Sequence, residues 1–144
     1  MWRFTRDRED HVELVQEAFI GAFTSLGTYR GRGPFCRWLR AIAVRTGYAF
    51  WRRRDRQRAE PREDIAHLLD GQAQEDSPEA VVTAAEAVHE TLAQLRPRDR
   101  LVLTLMYLEE HSVAEVADLT GWSETMVKVQ AWRAKRKLRK LLAP

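Results

Sequence analysis

The sequence predicts an all-α protein: two small helical domains joined by a flexible linker, the second a four-helix domain with a helix-turn-helix. Three observations carry this. Apolar residues recur at three- and four-residue spacing through every long segment, which is the period of an amphipathic helix. No stretch alternates apolar and polar with the period of two that a half-buried strand requires. Glycine and proline fall between the periodic blocks, where they punctuate the chain. The resulting boundaries are residues 1–58, a linker over 59–77, and residues 78–144.

Met1 to Asp10 is polar and charged apart from Trp2 and Phe4, and is too short to form a domain. Val12, Val15, Phe19, Phe23 and Leu26 then follow one turn apart. They predict an amphipathic helix of about four turns with those residues as its buried face. Gly27 and the Gly31-Arg32-Gly33-Pro34 cluster end it in a loop. Phe35, Trp38, Leu39, Ile42 and Ala43 form the apolar face of a second helix, spaced i, i+3, i+4, i+7 and i+8. That helix continues through Tyr48, Phe50 and Trp51 into the run Arg52-Arg53-Arg54. The two helices should pack on each other, yet they bury little surface, and domains well below about 60 residues are marginal alone.

Ala59 to Ser77 has no sustained period and contains Pro61 and Gly71, which reads as a flexible linker with room for one helical turn at Ile65 to Leu69. Ser77-Pro78-Glu79 supplies a helix start: a capping serine, a proline at the first helical position, and an acid in the first turn. This helix runs to about Leu95, where Arg96-Pro97 interrupts it. Asp99 to Glu109 forms the next, with Leu101, Leu105 and Leu108 inward.

Val113, Val116 and Ala117 begin a short helix that Thr120-Gly121 breaks, because glycine takes the left-handed backbone angle without steric cost. Ser123 is placed to cap a following helix. That last helix carries Val127, Ala131, Ala134 and Leu138 on one face. Its other faces hold Lys128, Arg133, Lys135, Arg136, Lys137, Arg139 and Lys140, with no acid among them. Two helices around a tight glycine turn, the second basic, form the sequence pattern of a DNA-binding helix-turn-helix. A charge run is often only a solvated face. Here Ala117 at the helix crossing, Gly121 in the turn and Val127 as a buried aliphatic meet the steric demands of the motif as well.

The net charge is only +3, but its distribution is uneven. Arg52 to Arg58 is nearly all positive, as is the C-terminal helix, while Glu60, Glu63, Asp64, Asp70, Glu75, Asp76 and Glu79 between them meet only Arg62. Two basic patches separated by an acidic strip point to two contacts with a polyanion. A content of 44% hydrophobic and 31% charged residues excludes disorder throughout. The single Cys36 permits no internal disulfide and suits a reducing cytosol. No apolar run approaches the roughly 18 residues of a spanning helix and no secretory segment leads the chain, so a cytoplasmic protein without direct membrane insertion is expected.

Catalysis finds no support. His11, His67, His89 and His111 are scattered, and none pairs with Cys36 at metal-ligand spacing. His89-Glu90 begins like a zinc-protease motif, but Ala93 stands where the second histidine belongs. No nucleophile elbow or phosphate-cradling loop is present, so no catalytic residue, metal or cofactor is expected.

Several stretches, in order, resemble the extracytoplasmic-function family of RNA polymerase sigma factors. Glu13-Leu14-Val15-Gln16-Glu17-Ala18-Phe19 matches a helix of the family's region two, followed by Tyr29-Arg30-Gly31, Phe35-x-x-Trp38-Leu39-x-x-Ile42-Ala43 and the arginine run. Leu92-x-x-Leu95-x-Pro97, Arg100, Val102-Leu103, Tyr107-Leu108-Glu109, Glu115-Val116-Ala117 and Val127-Lys128 through Arg133-Ala134 to Leu138 resemble region four. The likeness spans nearly the whole chain.

The resemblance implies a non-enzymatic subunit that joins core RNA polymerase and directs promoter-specific initiation. Glu13, Gln16 and Glu17 would meet the polymerase beta-prime clamp helices, and region four would approach the beta flap. Tyr29, Arg30, Arg45, Tyr48, Trp51, Arg52 and Arg53 would handle the minus-ten element, stacking unpaired bases on aromatic and basic groups. Ser123, Thr125, Lys128, Val129, Trp132, Arg133 and Arg136 would lie against the minus-thirty-five element. An anti-sigma partner is a further implied possibility.

The chain departs from the family pattern in places. It begins too late to hold the helix that usually precedes the Gln-Glu helix, so that first helix of region two is expected to be missing. Arg45 and Ala49 stand at usual asparagine and aspartate positions, and Gln130 and Trp132 differ from frequent choices on the recognition helix. Two other readings stay open from the residues alone. One is a helix-turn-helix regulator whose N-terminal helices only dimerise; the other is a polymerase-binding module unable to open DNA.

Overall fold

The computed structural model describes residues 3–31, 33–59 and 80–143, and every regular element among them is helical. Helix α1 spans Arg8–Thr24 and α2 spans Phe35–Ala59. Then come α3 (Ala80–Ala93), α4 (Pro97–Leu103), α5 (Val113–Thr120) and α6 (Glu124–Leu142). Most of the expected linker, its helical turn at Ile65 to Leu69 and the helix start at Ser77-Pro78-Glu79 lie outside the described residues. None of the described helices is long and apolar enough to cross a membrane.

Local chemistry sets the helix ends. The Asp7 carboxylate accepts from the Asp10 N–H and caps α1, with Glu9 and Asp10 in the first turn where the helix dipole favours negative charge. Ser112 and Glu115 close a reciprocal capping box at the start of α5. At its other end Gly121 sits at φ 80 and donates to the Ala117 carbonyl, so the left-handed stop expected from the sequence is present. Ser123 Oγ accepts from the Met126 N–H and starts α6. Helix α4 differs from expectation: it ends at Leu103 and passes directly into a π-type turn over Thr104–Leu108.

Helix α1 does not bury the face its larger side chains predict. Leu14, Ala18 and Ala22 are buried, whereas Phe19 is 63% exposed and Phe23 80% exposed. Val12, Ile20 and Leu26 also face outward. The reason is close approach to α2: a side chain at Gly21 would already press on Ile42, so small residues line the contact and the bulky ones turn away. Helix α2 shifts in the same sense. Phe35 is exposed, Trp38, Leu39, Ile42 and Ala43 are only half-buried, and the fully buried positions are Val44, Gly47 and Trp51.

The two helical halves expected from the sequence are both present, and they touch. Helix α2 packs on α4 and α5, and one core cluster runs from Phe4, Leu14, Val44 and Trp51 to Leu92, Leu101, Val102, Val116 and Val127. Trp51 is the joint. Its indole N–H donates to the Phe4 carbonyl at 2.7 Å, its ring lies 4.6 Å from that of Phe4, and the Arg100 guanidinium sits 4.0 Å over its other side. Stacking of a partly desolvated guanidinium on tryptophan contributes about 1–2 kcal/mol. Arg3–Glu109 and Arg37–Asp118 ion pairs span the same seam, but both are exposed and add little. The N-terminal segment, polar on its face, is thus anchored by Phe4 and Thr5, both buried.

Arg100 also donates to His89 Nε2 at 3.1 Å. Burial, then the charges of Arg100 and Arg6, lower the His89 pKa to about 4. Burial and the charge of Arg58 lower that of Arg100 to about 10, which leaves it cationic at neutral pH.

Two expectations follow. Alanine is the better helix former by about 1 kcal/mol. At Gly47, however, its methyl would fall on the Phe4 ring, so Gly47→Ala should destabilise the fold by about 1–3 kcal/mol in urea titration. Second, the unfolded chain takes up a proton on His89 at pH 6.5, while the folded chain resists until about 4. More protons bound in the unfolded state mean that stability falls as pH drops through that window. His89→Gln should reduce the loss between about pH 6.5 and about pH 4, measured by the same titration.

Candidate nucleic-acid interface

Helix α6 is divided lengthwise between structure and surface. Val127, Gln130, Ala131 and Ala134 are buried, while Thr125, Lys128, Val129, Trp132, Arg133 and Arg136 are exposed. Trp132 is 63% exposed, far from a core tryptophan, and Arg136 rests 5.6 Å from its ring. Of the expected region-four residues only Ser123 has a structural task, as the N-cap. The rest share one accessible face.

A buried polar tie fixes that face in place. Asp99, 1% exposed in the first turn of α4, accepts from Gln130 Nε2 and from Lys137 Nζ, the latter at 2.8 Å. A buried carboxylate left without such partners would be costly, so α6 is held to α4 in one register. Gln130, which differs from frequent family choices, is buried and spends its amide on this tie. The sequence carried the signal: Gln130 lies three residues after Val127 and four before Ala134, on the apolar face.

The expected region-two residues divide into three places. Tyr29 joins Phe35 and Trp38 in a three-ring cluster with centroids 5.4–5.5 Å apart, and its hydroxyl donates to the Gly33 carbonyl. Arg30 is exposed beside it, and Arg45 reaches the Gly121 turn of α5. Tyr48 is half-buried, edge-on to Trp122 at 5.8 Å, with Arg52 over its ring at 5.7 Å. Arg53 pairs with Glu17 at 3.4 Å between two exposed side chains. Trp51 is different: at 3% exposure it is part of the seam and presents no surface to a strand in this arrangement. Phe35 and Trp38, which sequence reasoning assigned to packing, supply the accessible aromatic surface.

The halves bring some of these groups together. Tyr48 and Arg52 of α2 line one groove with Arg133 of α6. Tyr29 and Arg30 lie apart from it, at the loop before α2. Glu13, Gln16 and Glu17 are exposed on α1, where Gln16 lies within the outward stripe of Val12, Phe19 and Phe23.

Comparison with known proteins places the two halves. Family models for Sigma-70 region 2 and Sigma-70 region 4 match residues 1–57 and 85–138. RNA polymerase sigma-H factor of Pseudomonas aeruginosa is 32% identical over 99% of this chain and 78% of its own length. RNA polymerase sigma factor SigV of Bacillus subtilis is 28% identical over 94% of this chain and 78% of its own. ECF RNA polymerase sigma-E factor of Haemophilus influenzae is 28% identical over 95% and 77%. Among solved structures the fold is similar to the sigma factor RpoE of Bartonella quintana in complex with the anti-sigma factor NepR, with a TM-score of 0.61. That likeness covers 97% of this chain and 85% of the other at 19% identity. It is also similar to CnrH in complex with the cytosolic domain of CnrY, with a TM-score of 0.62 at 24% identity over 97% and 75%. Matched in both halves and over nearly all its length, the chain belongs to the extracytoplasmic-function family of RNA polymerase sigma factors.

Proposed function

We propose that this protein directs promoter-specific initiation by core RNA polymerase through two DNA contacts, region four on the duplex and region two on the opened strand. The observation that carries the reading is the division of α6. Its apolar face and Asp99 tie are spent on the fold, which leaves Thr125, Lys128, Val129, Trp132, Arg133 and Arg136 free on the outer side. In this reading the arginines and Lys128 anchor the minus-thirty-five backbone, while Thr125 and Val129 reach base edges.

Region two supplies a stacking surface in the Tyr29–Phe35–Trp38 cluster, with Arg30 exposed at its side. Flipped or unpaired bases of the minus-ten element stack on such rings because every base has a π-face. Tyr48 and Arg52 extend that path, as does Arg53 once it leaves Glu17. Arg45 takes part after the Gly121 turn moves off it. Trp51 joins only when the seam opens.

Polymerase docks on α1. Glu13, Gln16 and Glu17 give acids and an amide for basic clamp helices, and the exposed Val12, Phe19, Ile20 and Phe23 give an uncovered apolar area of the kind that marks a protein-binding face. Region four meets the beta flap. An anti-sigma partner fits the same picture, since the similar sigma factor RpoE was solved in complex with the anti-sigma factor NepR.

The direct test is reconstituted transcription. Core polymerase plus this chain should yield discrete promoter-dependent transcripts, with permanganate-reactive thymines at the minus-ten element. Core-enzyme binding with neither reactive thymines nor transcripts would instead mark a polymerase-binding module, and duplex binding with no affinity for core enzyme a plain helix-turn-helix regulator. Within region four, Arg133→Ala and Lys128→Ala should each weaken duplex binding and lower the slope of log affinity against log salt by about one unit. A pair of variants with unchanged slope and affinity would take these residues off the DNA surface.

A further inference from the structure

The seam between the halves encloses a groove of which the proposed promoter contacts use only Tyr48, Arg52 and Arg133. The groove, of about 370 Å³, runs between α2 and the α4–α6 pair. Arg52 and Arg56 enter it from α2, Arg96 and Arg98 from the start of α4, and Arg133 from α6. Tyr48 forms part of its wall. Among the described residues two acids, Asp55 and Asp99, line the groove beside these five arginines and Lys137, so its positive charge is only partly offset. Asp99 is buried and committed to Gln130 and Lys137, and among the described residues Asp55 forms no ion pair with a lining arginine. Arginines of both halves therefore line one space open to solvent, with Arg52 over the Tyr48 ring and Arg98 over the Trp122 ring. Like charges gathered along one groove repel, and the repulsion opposes the packing that Trp51 and Arg100 provide.

We propose that this groove binds a phosphate-rich small molecule, an oligophosphate or the polyphosphate tail of a nucleotide, which bridges the two halves. Arginine forks match phosphate oxygens two at a time, and several arginines along one groove call for several phosphates. The volume falls in the roughly 300–1,000 Å³ range of small-ligand pockets. The half-buried Tyr48 ring, now covered by Arg52, offers a stacking surface for a base once Arg52 turns to the phosphates, should they carry one. Neutralising the groove removes the repulsion and stabilises the docked arrangement.

A consequence rests on the proposed promoter contacts. Arg52 and Arg133 belong to that DNA-binding set, so the bound ligand occupies groups from both contacts and competes with promoter DNA. The groove itself is tested without DNA.

Tripolyphosphate, ATP and adenosine are titrated into the full-length chain by calorimetry at fixed ionic strength. Tripolyphosphate should bind saturably at one site, and Arg56→Ala and Arg98→Ala, both at exposed positions outside the assigned DNA contacts, should each weaken it about tenfold. Arg139→Ala and Lys140→Ala, exposed cations of α6 outside the groove, should leave the affinity as it was. ATP tighter than tripolyphosphate, with the difference lost in Tyr48→Ala, identifies a nucleotide; equal affinities identify the oligophosphate alone. Absence of saturation, tight binding of adenosine by itself, or equal weakening by the α6 and groove variants would overturn the proposal. A chain that fails in transcription but passes this titration leaves the groove standing, and the reverse result removes only the groove.

Discussion

The position of Trp51 governs the rest of this structure. A tryptophan beside an arginine run reads naturally as a strand-stacking residue, yet its indole is enclosed by Phe4 beneath and Arg100 above. The hydrogen bond to the Phe4 carbonyl satisfies the one polar atom that burial would otherwise orphan. Through this single side chain the N-terminal segment, α2 and α4 share a core, which relieves the weakness of two helices that alone bury too little surface. The same contact sets the two DNA-binding halves against each other, so any rearrangement that spreads them along a promoter must uncover Trp51.

A second constraint works within region four. Asp99, Gln130 and Lys137 place three polar groups where an all-apolar contact would pack as well. What they add is register. An apolar seam between α4 and α6 tolerates sliding, whereas a buried carboxylate with two specific donors does not. The outer face of α6 is thereby held at one angle relative to the turn at Gly121, which is what a helix presented to a groove of DNA requires.

How much of this was legible in the sequence depended on whether one face or two carried apolar residues. The helix-turn-helix was legible in detail because α6 has a narrow apolar stripe, with cations elsewhere, and because Gly121 and Ser123 are chemically suited to their positions. Helix α1 was not, since apolar side chains cover more than half its circumference. Size favours Phe19 and Phe23 as the core, but the close approach of α2 at Gly21 selects Leu14, Ala18 and Ala22. That choice depends on a neighbouring backbone and leaves no mark in local periodicity. Trp51 and Phe4 were illegible for a related reason: their partners lie 47 residues apart or in the other half. Gln130 could have been found by extending the apolar stripe to include it.

Native-state hydrogen exchange reads whether the seam joins the two halves into one unit. Amides of α2 around Val44 to Trp51 and of α4 around Leu101 to Leu103 should open with the same free energy, as members of one cooperative unit. Trp51→Ala should lower both together, by about 3–5 kcal/mol. Opening energies that differ between the two helices in the unaltered chain, or a Trp51→Ala effect confined to α2, would contradict such a joined unit.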